Sequence, residues 1–288
     1  MMKRLFMLLS LALMIGAAMA LSGVAQAGGS PSSKCKTEAT LALKSLDPPL
    51  DLTGYKFIAG SDKKNDNFNS KATEGVAEVF CGFGGNDEIG TLAEGDIFIG
   101  GAGDDSVYDA NNGTFIGGAG NDSVWDNTLT GTFNGEVGND TVTFNYSTFN
   151  GGVGADAVES NRGTFNGGDD IDHVDVNRQN ATFNGGDGAD SVTRNLGTFN
   201  GDAGNDTVTN NNSGLGDDNV TVYHGTFNGG ADNDTVTNNN TGATFNGEAG
   251  DDHVDDNYGT FYGGFNGSDN VLGNDTVTTP HDGSTFVD

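Results

Sequence analysis

Basic residues are scarce, with 12 Lys and Arg against 41 Asp and Glu and a formal charge of −29 over 288 residues. A phosphate backbone is held by Lys and Arg, so this balance excludes a nucleic acid as partner. Proline is nearly missing at 4 residues, while glycine reaches 48. A chain so acidic and so rich in glycine does not fold on its own apolar content, and whatever orders it must carry positive charge. Long apolar runs are confined to the N-terminus, so no later segment spans a membrane. Cysteine is limited to Cys35 and Cys81. In an oxidising compartment these two pair as one disulfide; two free thiols are the alternative.

The first 27 residues read as an address. Lys3 and Arg4 precede the apolar stretch "LFMLLSLALMIGAAMALSGV", and Ala25-Gln26-Ala27 is a small-residue cleavage site. The expectation is a secreted, extracellular chain starting near Gly28, with an uncleaved anchor as the minor alternative. Residues 28–79 form a cap segment containing a degenerate first repeat, "GYKFIAGSDKKNDNF", and residues 80–288 the repeat body.

Two apolar ladders organise that body. Phe80, Phe98, Phe115, Phe133, Phe149, Phe165, Phe183, Phe199, Phe227, Phe245, Phe261 and Phe286 alternate with Ile89, Val107, Val124, Val142, Val158, Val174, Val192, Val208, Val236, Val254 and Val277. One buried residue per strand is too little for an isolated hairpin. Stacked turns make a continuous core from one Phe and one Val each. The predicted fold is therefore all-β, a parallel β-roll or β-solenoid of about 11 to 12 turns of roughly 16 to 18 residues.

The step from Phe to the next Val or Ile is nine residues in ten of eleven cases, whereas the return step takes seven, eight, nine and once nineteen. The fixed step always holds a glycine run closed by an aspartate, as in "GGAGND" at 117 and "GGVGAD" at 151. Glycine gives backbone angles barred to other residues and lets carbonyl oxygens converge, and the aspartate adds a carboxylate. Such a hard, oxygen-only site suits Ca²⁺, which accepts six to eight oxygens in flexible geometry, better than Mg²⁺. Zinc is disfavoured, because His173, His224, His253 and His281 never cluster at ligand spacing. The plain alternative is a set of tight surface turns with solvated aspartates.

These runs resemble the nonapeptide G-G-x-G-x-D-x-U-x of RTX (repeats-in-toxin), or haemolysin-type, calcium-binding proteins over residues 82–278. The resemblance implies Ca²⁺ between consecutive turns on one side of the roll, roughly ten ions offsetting about twenty charges. It assigns as carboxylate ligands Asp87, Asp105, Asp122, Asp140, Asp156, Asp172, Asp190, Asp206, Asp234, Asp252 and Asp275. The accompanying carbonyls come from the turns that open at Gly82, Gly100, Gly117, Gly135, Gly151, Gly167, Gly185, Gly201, Gly229 and Gly247.

Departures from that family pattern are informative. Only one half of each repeat carries the acidic signature, so one row of ions is expected rather than two. Asp170 and Asp232 replace the last glycine of their runs, and the final repeat is stretched around "NGSDNVLGND". The other half carries Thr before and Asn after most ladder phenylalanines, from Thr114 and Asn134 onward, pointing outward as two files. Ordinary strand preference explains Thr there; an ordered-water or lattice-binding face is the alternative. Tyr108 and Trp125 share an outward position and are expected to pack against the N-terminal segment or the neighbouring loop, with a stacked sugar platform as the alternative. The stretch at 210–224 should protrude, with Asp218 in a stray turn.

About 50 residues before the roll are too few for a catalytic domain, and no nucleophile elbow, HExxH or phosphate loop is present. The expected function is a calcium-binding structural or adhesive surface protein, not an enzyme, facing a cell surface or glycan. An ice- or lattice-binding solenoid and a polysaccharide-acting enzyme are the second and third readings.

Overall fold

A computed structural model describes residues 30–43, 51–69, 75–215, 222–266, 271–272, 276–281 and 283–287. The predicted leader, the stretched turn with Asp275, and Asp218 lie outside the described residues. The chain winds into a parallel β-solenoid of about 11 turns. Successive phenylalanine strands such as Thr148–Val153 and Thr164–Asp169 stack into one sheet, and successive valine strands such as Ala157–Asn161 and His173–Asn177 into a second. Pairing is in register, Phe149 on Phe165 and Val158 on Val174.

Between the two sheets lies a core one Phe and one Val thick, with every ladder residue from Phe80 to Phe261 buried. From Phe98 to Phe261 the rings stack at 4.7–4.9 Å and within 7° of parallel. Free aromatic pairs prefer offset or edge contacts. Here the strand spacing imposes the stack, and the fit between ring and strand repeat is what lets one residue type recur at every turn.

The roll begins one turn before the boundary read from the sequence. Lys56–Ala59 pairs in parallel with the strand Glu78–Gly84, placing Ile58 beside Phe80, and Phe68 is buried edge-on against Phe80 and Phe98 at 5.6 Å. Helix α1, Pro31–Ala42, starts at the N-cap Ser30 with proline in its first turn. Its stripe of Cys35, Ala39 and Leu43 does not plug the end of the stack. It lies on the outer face of the phenylalanine sheet, against Val79, Cys81, Ile97, Ile99 and Ile116. Where the helix covers that face the outward residues are apolar; beyond Ile116 they become Thr and Asn. The Cys35–Cys81 disulfide, Cα to Cα 5.6 Å, joins helix to sheet.

A feature missed in the sequence holds the variable corner. Asn111, Asn127, Asn145, Asn161, Asn177, Asn195, Asn211, Asn239 and Asn257 are fully buried. From Asn111 to Asn239, each amide nitrogen donates to the next asparagine oxygen at 2.8–3.1 Å. Each also donates to a threonine carbonyl of the neighbouring turn, as Asn177 Nδ2 does to Thr198 at 2.8 Å. The anchor is fixed three residues after each ladder valine from Val124 to Val254. Only the link from Asn to the following Thr varies, which is why the return step drifts without disturbing the stack. The 210–224 excursion leaves from this corner as an antiparallel hairpin, Ser213–Leu215 against Val222–His224, while Thr198 still pairs with Thr226.

Tyr108 and Trp125 do not stack. A bulge between Val107 and Ala110 shifts Tyr108 out of register, so its hydroxyl bonds Asn69, and Trp125 meets Phe144 edge-on at 5.9 Å.

Removing one amide from the ladder strands the Asn195 oxygen and the Thr198 carbonyl. Asn177→Ala is expected to cost about 2–4 kcal/mol, read as a lower urea midpoint. An unchanged midpoint would mean the ladder is not a structural tie.

Candidate functional site

The fixed nine-residue step forms the opposite corner, and its geometry explains the spacing. The ten aspartates that close the runs, Asp87 to Asp252, are each buried to 1% exposure or less, so the solvated surface turn is ruled out for them. From Asp66 to Asp234, the backbone N–H of each aspartate donates to the Oδ1 of the aspartate one turn on, at 2.6–2.9 Å. Ten predicted site residues, Asp87, Asp105, Asp122, Asp140, Asp156, Asp172, Asp190, Asp206, Asp234 and Asp252, thus form one continuous ladder. Asp66 belongs to it as well. Its signal was the degenerate "GSDKKND", one residue longer between glycine and aspartate than the other turns, and the Ser61 N–H caps its Oδ2 at 2.7 Å.

The first glycine of each run is glycine for a reason other than its backbone angles. Gly82, Gly100, Gly117, Gly135, Gly151, Gly167, Gly185, Gly201, Gly229 and Gly247 do not adopt left-handed angles. They are glycine because the aspartate carboxylate of the same turn packs against their Cα. A Cβ on Gly151 would overlap Asp156 Oδ2 and lie 2.7 Å from the Gly167 carbonyl oxygen of the next turn. The left-handed positions are the second and fourth. At the fourth, Gly154 has φ of 129°, and the substitutes Asp170 and Asp232 sit at 79° and 76°, inside the range that aspartate tolerates. The ladder runs through both turns unbroken, with Asp156 to Asp172 at 2.8 Å and Asp206 to Asp234 at 2.8 Å.

The second carboxylate oxygen is the unresolved group. Oδ2 of Asp105, Asp122, Asp140, Asp156, Asp172, Asp190, Asp206 and Asp234 is buried with no hydrogen-bond partner. Burial, reinforced by neighbouring carboxylates and only partly offset by the backbone N–H bond, raises these groups from 3.8 to about 8 at Asp105, Asp122, Asp156 and Asp234 and to about 9 at Asp172. Asp140 and Asp206 reach about 7, and Asp190 about 6. A buried row of this kind requires either protons or cations.

The donor set fits a hard cation. From Asp140 to Asp234, the orphan Oδ2 and the carbonyl oxygen of the next turn's first glycine both approach the space a Cβ on the turn's own first glycine would fill, as at Gly151 and Gly167. Among the described residues no three His, Cys, Asp or Glu side chains gather about one point. A bound ion would therefore draw on carboxylates and backbone carbonyls of adjacent turns, an oxygen-only set. The histidines stand elsewhere. His173 and His253 bond Asp175 and Asp255 at 3.0 and 2.9 Å on the outer valine face.

No protein-family model, curated protein or solved structure matches the chain.

Two outcomes follow from this packing. Gly151→Ala should cost about 3 kcal/mol or more in a urea titration, and much less when Asp156→Ala has vacated the space; strict additivity would mean the two do not touch. In a cation-free buffer the contribution of the raised carboxylates is fully present below their ordinary range near 3.8 and is lost progressively as pH rises from there to the raised values of about 6 to 9. Asp172→Asn should accordingly raise the urea midpoint above the parent's at alkaline pH and leave it unchanged near pH 4. A variant less stable than the parent at alkaline pH would contradict the assignment.

Proposed function

We propose that the protein is an extracellular calcium-binding solenoid of the RTX type whose aspartate corner takes up a row of roughly ten Ca²⁺ ions, and that its role is structural or adhesive. The observation that carries this reading is the row of buried carboxylate oxygens without partners, which from Asp140 to Asp234 converge with the next turn's glycine carbonyl on the space a Cβ of the first glycine would fill. In this reading Asp87 to Asp252 supply carboxylates, the glycine runs supply carbonyls, and the ion supplies the positive charge that the composition lacks. The opposite corner has a neutral ladder already satisfied by its own amides, which is consistent with one row of ions and not two.

An extracellular setting is supported by the basic and apolar start of the chain and by the Cys35–Cys81 bond, since disulfides persist in oxidising compartments. Calcium affinities of extracellular modules are weak, about 10⁻⁴ to 10⁻³ M, matched to the surrounding supply. A binding role is favoured over catalysis because the ladder aspartates are equivalent by position and none is paired off from the rest.

Calorimetric titration of the chain lacking residues 1–27 with CaCl₂ tests this reading. The expected result is roughly one ion per pair of adjacent ladder aspartates, about ten in all, with Mg²⁺ unable to substitute. Asp156→Asn should lower the stoichiometry by one or two ions. No calcium-specific heat, or binding to one or two ions only, would overturn it.

A further inference from the structure

The outer face of the phenylalanine sheet is divided. Helix α1 covers its first turns, and beyond Ile116 two outward files run uncovered among the described residues. One file is threonine, Thr132 to Thr244; the other is asparagine, Asn134 to Asn246. They pair in register turn on turn, even across the excursion, where Thr198 meets Thr226 and Asn200 meets Asn228. The repeat along both files is therefore the 4.7–4.8 Å seen in the ring stack beneath them.

Both files are held rigid. Each asparagine from Asn150 onward donates its amide N–H to the oxygen of the preceding asparagine at 2.7 Å, which fixes the side chain and leaves a second N–H and an oxygen lone pair for an outside partner. The threonine hydroxyls of the file make no hydrogen bond within the chain, and their β-branched side chains are stiff. Neither file contains an ionisable side chain, although the chain carries −29.

This chemistry narrows the partner. An anionic ligand finds no counter-charge, the charges bordering the files being the carboxylates of Glu136, Asp202 and Glu248 two residues past the asparagines, and an apolar one would leave hydroxyls and amides unpaired. What matches is an extended, neutral, periodic surface of O–H donors and acceptors. A neutral polysaccharide is commonly held on aromatic faces, and none stands on these files between Thr132 and Thr244; a single exposed ring, Tyr262, continues the asparagine file one turn further, and Trp125 lies on the valine sheet. We propose that the Thr/Asn strip binds ordered water, adsorbing to the surface of ice. The proposal rests on the fold and not on the calcium reading.

Thermal hysteresis of the chain lacking residues 1–27, measured in calcium buffer with far-UV circular dichroism on the same samples, tests it. Hysteresis is expected in the parent, and should fall to the buffer level in Thr182→Tyr and in the smaller Thr182→Asp with β content kept. Thr209→Tyr, on the valine sheet, should retain it. A folded parent without hysteresis overturns the proposal, as does equal loss from Thr209→Tyr. Retention on chitin or cellulose without hysteresis overturns it as well and assigns the strip to a glycan. Hysteresis that persists with unchanged β content in chelator would sink the calcium reading and leave the strip standing; calcium-driven folding without hysteresis would do the reverse.

Discussion

Every turn of this solenoid places a carboxylate inside its own corner, and the structure depends on how that charge is met. The Asp156 carboxylate accepts the Asp140 N–H through one oxygen and abuts Gly151 with the other. The first contact fixes the height of one turn on the next. The second sets the distance from glycine to aspartate within the turn. Together they determine the nine-residue step from Phe149 to Val158, and the phenylalanine and valine ladders inherit their alignment from it. Neutralising the carboxylate is then a condition for the core, because one Phe and one Val per turn cannot offset a buried row of charge.

The two corners solve the same problem with different side chains. An asparagine amide is both donor and acceptor, so a stack of them satisfies itself, as Asn161, Asn177 and Asn195 do. An ionised carboxylate only accepts, and one backbone N–H per turn satisfies one oxygen of two. The aspartate corner is thus incomplete where the asparagine corner is complete. That asymmetry locates the proposed cation row, and it leaves the outer faces free for other roles.

The fold was legible because its signals are periodic. One Phe and one Val per turn at constant spacing admit little besides stacked parallel strands, and the aspartates stood out by the same phase. The burial of those aspartates was less legible, since acid in a glycine turn ordinarily means solvent. So was the reason for the first glycine, which depends on a carboxylate five residues away. The asparagine ladder was present at a constant three residues after each ladder valine from Val124 to Val254, but Asn is common near strand ends and the outward file of Asn134 to Asn246 masked it. The helix position was only partly legible: its one pointer in "PSSKCKTEATLA" is Cys35, whose partner Cys81 follows the inward Phe80 and so faces outward. The apolar Val79, Ile97 and Ile99 at otherwise polar positions were the other hint.

The central claim is that the solenoid stands only when its aspartate row is neutralised, by protons in acid or by a cation at neutral pH. Far-UV circular dichroism of the calcium-free chain across a pH titration, followed by addition of CaCl₂ at the alkaline end, tests this most directly. The account predicts β structure in acid, its loss as pH rises from the ordinary carboxylate range near 3.8 toward the raised values of about 6 to 9, and its return when calcium is added. A spectrum indifferent to both pH and calcium would contradict it.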